Sequence, residues 1–185
     1  MTWQQTVEQT VTGLGYDLVD LEWSAGGLLR VTIDLPWDPA QTQEQFVTVE
    51  DCEKVTRQLQ FLLEVENVDY KRLEVGSPGI DRPLRHENDF LRFAGEVIDI
   101  TLKAPIGSND GQINATRKKF RGTLERPENQ VGWQLVWSDE PARKPGQRVS
   151  KKAQPAPVQV LGFTLDEIRD ARLAPLVSFK GRSAK

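Results

Sequence analysis

The sequence predicts an α+β protein in two parts, an α/β domain over residues 1–84 and a small β-sheet domain over residues 85–185. Three observations lead there. The apolar pattern mixes helical and alternating periods in the first half and is almost wholly alternating in the second. Net charge changes sign between the halves, and a stiff Pro/Gly segment stands at the change. Met1 to Leu84 carries 6 Lys and Arg against 15 Asp and Glu, a net of −9, whereas Arg85 to Lys185 carries 18 against 12, a net of +6.

Trp3, Val7, Val11 and Leu14 recur at helical spacing, and Gly13 and Gly15 supply stop signals. Tyr16 to Trp23 then alternates, placing Val19, Leu21 and Trp23 on one face and Asp20 and Glu22 on the other. Leu29, Val31, Ile33 and Leu35 resume the alternation after the turn at Ser24–Gly27, so the pair reads as a hairpin with one buried face. Trp37 lies in a loop marked by Asp38-Pro39, either covering the edge of the domain's own core or offering an anchor to a partner. Thr48 and Asp51 have the spacing of a capping box, with an acid shorter than the usual Glu. Behind them Cys52, Val55, Leu59, Leu62 and Leu63 form an amphipathic stripe, with Cys52 read as a small buried apolar residue. Leu73 and Val75 make a third strand, so this order predicts two helices on one face of a three-stranded sheet.

Gly76-Ser77-Pro78-Gly79-Ile80-Asp81-Arg82-Pro83-Leu84 comes directly after that strand. Each proline fixes its own φ and pushes the preceding residue, Ser77 or Arg82, towards extended backbone. Gly79 follows Pro78 where the second central residue of a turn would stand, a position where φ is often positive. Ser77, Pro78, Gly79, Asp81, Arg82 and Pro83 therefore form a connector of defined shape, with an adjacent acid and base held for an interdomain or partner contact.

Arg85 to Phe93 reads as a short helical lead-in. Ile98, Ile100 and Leu102 alternate, as do Phe120, Gly122 and Leu124, then Trp133, Leu135 and Trp137, and finally Val158, Val160 and Gly162. Short strands between turns favour a small closed sheet. Residues 138–157 hold four prolines, five Lys or Arg and two acids with few apolar residues, which predicts a mobile inserted loop. Arg117, Lys118, Lys119 and Arg121 put four cations into five residues and are candidate RNA contacts through phosphate. Only Phe120 stands among them, and it points inward, so base stacking is poorly supported.

Composition narrows the functional classes. At 185 residues, 38% apolar and 28% charged, the chain suits a soluble globular protein, and no apolar run approaches the ~20 residues of a membrane span. The first residues lack the basic and apolar regions of a signal peptide, which makes the cytoplasm the expected compartment. One cysteine excludes an internal disulfide, and one histidine, His86, leaves little for a metal site. No phosphate-binding Gly/Lys loop and no Gly-x-Ser-x-Gly elbow occurs, so neither catalysis nor a cofactor is expected.

The central segment resembles the Ser-Ser-Pro-Gly-Leu-Asp-Arg-Pro-Leu signature of the RimP family, bacterial ribosome maturation factors of the small subunit. Gly76 replaces the first serine and Ile80 the leucine. Phe120-Arg121-Gly122-Thr123-Leu124 resembles the family's Phe-x-Gly-x-Leu strand. Leu165-Asp166-Glu167-Ile168 leading to Ala171-Arg172-Leu173-Ala174-Pro175 resembles its closing helical turn and strand. The resemblance implies an SH3-like, or Sm-like, barrel for the second half. It further implies a non-enzymatic assembly factor, monomeric and without a membrane role, that binds free small (30S) subunits. The partners it implies are a basic ribosomal protein near the decoding region, met by the acidic domain, and 16S rRNA near the basic barrel. A general RNA-binding Sm-like module is the alternative, and a hydrolase built on Ser77, Asp81 and His86 is a distant third.

Overall fold

The computed structural model describes residues 1–105, 116–138 and 158–174, and the chain divides into two units, Met1–Asn88 and Asp89–Lys185. The first unit runs α1 (Trp3–Gly13), β1 (Asp17–Trp23), β2 (Leu28–Asp34), α2 (Val49–Val65) and β3 (Arg72–Gly76). Its sheet has the order β1-β2-β3, with β1 antiparallel to β2 and β3 parallel to it. Parallel neighbours need a long crossover, and the segment carrying α2 supplies it. Val7 and Val11 of α1, Val55, Leu59 and Leu63 of α2, and Leu29, Val31 and Ile33 of β2 are all fully buried in one cluster. Both helices therefore cover the same face of the sheet, the arrangement their periodicity predicts.

In β1 the sequence alternation is out of phase. A β-bulge between Leu18 and Asp20 places Leu18 opposite Ile33, and Leu18 joins the core that plain alternation denied it. Val19 is buried as well. Past the bulge Leu21 lies opposite Val31 and Trp23 opposite Leu29, and Trp23 meets Trp3 edge-on at 5.5 Å while staying half-exposed. Both helices begin with reciprocal caps. Thr2 accepts from the Gln5 N–H while its own N–H donates to Gln5 Oε1, and Thr48 and Asp51 do the same for α2. α2 ends on a Schellman turn: Val68 N–H donates to the Leu63 carbonyl, Asn67 N–H to that of Glu64, and Asn67 takes φ 54°.

The second unit begins within the short helix α3 (Glu87–Arg92) and contains β4 (Val97–Leu102), β5 (Lys119–Glu125), β6 (Trp133–Ser138), β7 (Val158–Phe163), a 3-10 turn (Leu165–Glu167) and β8 (Ile168–Leu173). All neighbours are antiparallel, in the order β7-β6-β5-β4-β8. Among the described residues β7 and β8 stand at opposite edges and do not pair, so the described strands do not by themselves close the expected barrel. Four ladders join five strands, and a closed ring would need a fifth. Phe90 fills the core beside Trp133 (5.7 Å) and Phe163 (6.4 Å). The phase of β7 is the reverse of the one read from sequence. Its partners Leu135 and Trp133 face the core, so Leu161 and Phe163 opposite them are buried, while Val158 and Val160 are exposed. Beyond Ser138, the insertion expected over 138–157 lies outside the described residues.

Candidate interaction surfaces

The proline-glycine segment is built onto the end of the first sheet. β3 leaves the sheet at Gly76, opposite Thr32 of β2, and β2 ends two residues later at Asp34. Asp34 Oδ1 accepts the Leu35 N–H at 2.8 Å, which orients the carboxylate. Arg82 then returns across the strand end, and its Nε lies 3.2 Å from Asp34 Oδ2 with both side chains at most a tenth exposed. Of the adjacent acid and base, Arg82 is thus turned into the first unit, while Asp81 is exposed. Ser77 and His86 are exposed too, and Pro78 and Pro83 are half-buried. Gly79 does not adopt the positive φ expected after Pro78, because the turn falls at Ile80–Asp81 instead. A Cβ on Gly79 would lie 3.1 Å from Asp81 Oδ1, so its lack of a side chain makes room for that carboxylate.

At the same end of the sheet, beside the Asp17–Asp34 pairing, Asp51 ties the start of α2 to the turn before β1. Besides capping α2, its Oδ1 accepts the Tyr16 hydroxyl at 2.6 Å. This bond pushes the Tyr16 phenol up to about 12, with burial adding to it, and holds the Asp51 carboxyl below its ordinary value. A carboxyl depressed by folding adds stability above the unfolded pKa, near 4, and loses it as pH falls through the lowered value. The raised phenol works in the other sense, adding stability below pH ~10 and losing it as pH rises towards 12. Replacing Asp51 by Ala should cost about 1–2 kcal/mol at neutral pH. Urea midpoints taken from neutral to acid pH should converge for wild type and variant, and a gap constant with pH would refute the assignment.

In the second unit the basic run divides by role. Arg121 lies opposite Asp99 and donates to both its carboxylate oxygens, Nε–Oδ1 at 2.6 Å and Nη2–Oδ2 at 2.9 Å, which raises its pKa further. The Arg117 guanidinium sits 4.7 Å over the Phe120 ring and 5.8 Å from that of Trp137, and its Nε donates to the Lys119 carbonyl. Lys118 and Lys119 are exposed, with no ion pair to any described residue. Four cations that look equivalent in the sequence become two engaged guanidiniums and two exposed ammonium groups.

Asp34 and Asp99, the two partner acids, are absent from the sequence-level candidates, because nothing local to either marks a mate 48 or 22 positions away. Phe61 and Val65 are absent from them too. Their signal is that both fall outside the apolar stripe of α2, and they are 67% and 62% exposed. Trp37 stands 37% exposed and outside the core cluster. Among the described residues no group of three metal-ligating side chains occurs, and no helix is long and apolar enough to cross a membrane.

The chain is thus a two-unit α+β protein whose units carry opposite net charge, with a buried ion pair holding the proline-glycine segment to the first. Residues 6–81 match the RimP N-terminal domain. The whole chain is 73% identical to the ribosome maturation factor RimP of Paracidovorax citrulli and 73% identical to that of Delftia acidovorans, covering 97% and 99% of those proteins. It is 70% identical to that of Variovorax paradoxus, covering 92%. The chain belongs to the RimP family.

Proposed function

We propose that this chain is a non-enzymatic, cytoplasmic assembly factor for the small ribosomal subunit, binding free subunits as a monomer. The observation that carries this reading is 73% identity along the entire chain to proteins named ribosome maturation factor RimP. Charge makes the reading specific. The first unit, net negative, docks on a basic ribosomal protein near the decoding region, and the second approaches 16S rRNA through Lys118 and Lys119. Its five-stranded sheet is taken, on the family resemblance, as part of an SH3-like barrel. The Arg82–Asp34 pair holds the proline-glycine segment to the end of β2, which supports its role as an ordered connector.

Co-sedimentation with free small subunits and with complete ribosomes, over a range of salt, tests the reading. Preference for free subunits is expected, whereas equal retention on any added RNA would favour a general RNA-binding module. Lys118→Ala with Lys119→Ala should weaken binding and reduce the salt slope by roughly 1–2, since each lysine that neutralises a phosphate adds about one to it. An unchanged slope would remove these lysines from the interface.

A further inference from the structure

We propose that the first unit holds its protein partner on the exposed side of α2 that carries Phe61 and Val65, and that the partner supplies a Lys/Arg-rich segment carrying an apolar side chain. This rests on the reading of the chain as a subunit-binding factor. At 100° per residue, Val55, Leu59, Leu62 and Leu63 set the core direction of α2, and Phe61 lies roughly 145° away from it. Val65, four residues further on, is its neighbour on the helix surface, at the flank of the exposed face. Single exposed apolar residues are ordinary on protein surfaces. An aromatic on the solvent face, with a second apolar residue beside it, adds nothing to the core and offers a compact anchor.

The charges around this pair identify the occupant. Glu64 and Glu66 are exposed beside it, and the last turn of α2 carries no basic residue. Acids at a helix C-terminus oppose the helix dipole, so their placement does not serve the helix. The nearby cations are engaged: Arg57 pairs with Glu53, and the Lys54 ammonium lies 5.6 Å over the Tyr16 ring. An apolar anchor in a negative field repels phosphate, which disfavours RNA and anionic lipid. It also disfavours a second copy of this unit, whose net charge is −9 over residues 1–84. A cationic polypeptide segment with an apolar side chain meets both features. The Schellman turn holds this end of the helix in place, so the surface is formed before the partner arrives.

Full-length wild type, the Phe61→Ala/Val65→Ala double variant and Glu64→Lys would be sedimented with purified free small subunits at low and high salt, with thermal melts confirming the fold. The double variant should bind at least tenfold more weakly at both salts. Glu64→Lys should bind a few-fold more weakly at low salt, with the difference fading at high salt. A benzophenone amino acid at position 61 should crosslink to a ribosomal protein. Wild-type binding with an unaffected double variant, or a crosslink to rRNA or to a second copy of this chain, would overturn the inference while leaving subunit binding intact. Failure of wild type itself to bind would defeat the underlying reading and this one with it.

Discussion

Arg82→Leu should destabilise the first unit by about 3 kcal/mol, far more than the loss of a surface ion pair. Burial sets this magnitude. The Arg82 and Asp34 side chains are 6% and 10% exposed, so water replaces little of what either loses when its partner goes. Leucine fills part of the arginine's volume but leaves the Asp34 carboxylate without its cation at the end of β2. The cost is then chiefly that of an uncompensated buried charge. Changing Asp34→Asn in the same chain removes that charge and keeps an oxygen for the Leu35 N–H, so the double variant should recover most of the loss. Urea unfolding, with amide exchange in β2 and β3 as the local readout, measures both. A single-variant cost below about 0.5 kcal/mol would mean the pair behaves as an exposed one. The segment from Ser77 to Leu84 would then owe its shape to its prolines alone.

Much of this architecture is legible in the sequence because it depends on local periodicity. The helical spacing of Val7 and Val11, the stripe from Val55 to Leu63 and the capping box at Thr48 and Asp51 each sit within a few residues of chain, and each is present in the fold. The departures arise where partners decide. Nothing in Asp17 to Trp23 announces the bulge that admits Leu18 to the core, since pairing with Ile33 sets it. β7 offers two apolar phases, and only the Trp133 and Leu135 partners on β6 select Leu161 and Phe163 over Val158 and Val160. The same holds for charge. Arg82 and Asp81 look like one dipole in the sequence, yet a carboxylate 48 residues earlier turns one inward while the other remains exposed. The basic run is four positive charges by composition, and Asp99, Phe120 and Trp137 determine which two remain available. Residue type and spacing identify elements and candidate groups, whereas cross-strand neighbours fix which face and which charge is presented.

Gly122→Ala should destabilise the second unit by about 2–3 kcal/mol, although it adds a single methyl group. Gly122 is buried in β5, opposite Ile98 of β4, and a Cβ built there would lie 2.7 Å from the Val136 carbonyl oxygen and 3.0 Å from Leu135 Cγ. The nearest obstacle is backbone of the adjacent strand, which cannot swing aside as the end of a long side chain would. Relief requires β5 and β6 to move apart, straining the Thr123–Val136 and Leu124–Leu135 pairings next to it. Gly162 provides the internal comparison. It is a strand glycine of the same unit, exposed, and a Cβ added to it would meet no heavy atom within 4 Å. Gly162→Ala should therefore be neutral or stabilising by about 0.5 kcal/mol, as removal of backbone freedom from a strand predicts. Unfolding free energies from urea titrations of the two variants should change in opposite directions or differ by at least about 2 kcal/mol. Equal shifts would show that strand propensity, rather than the close approach of β6, explains the glycine at position 122.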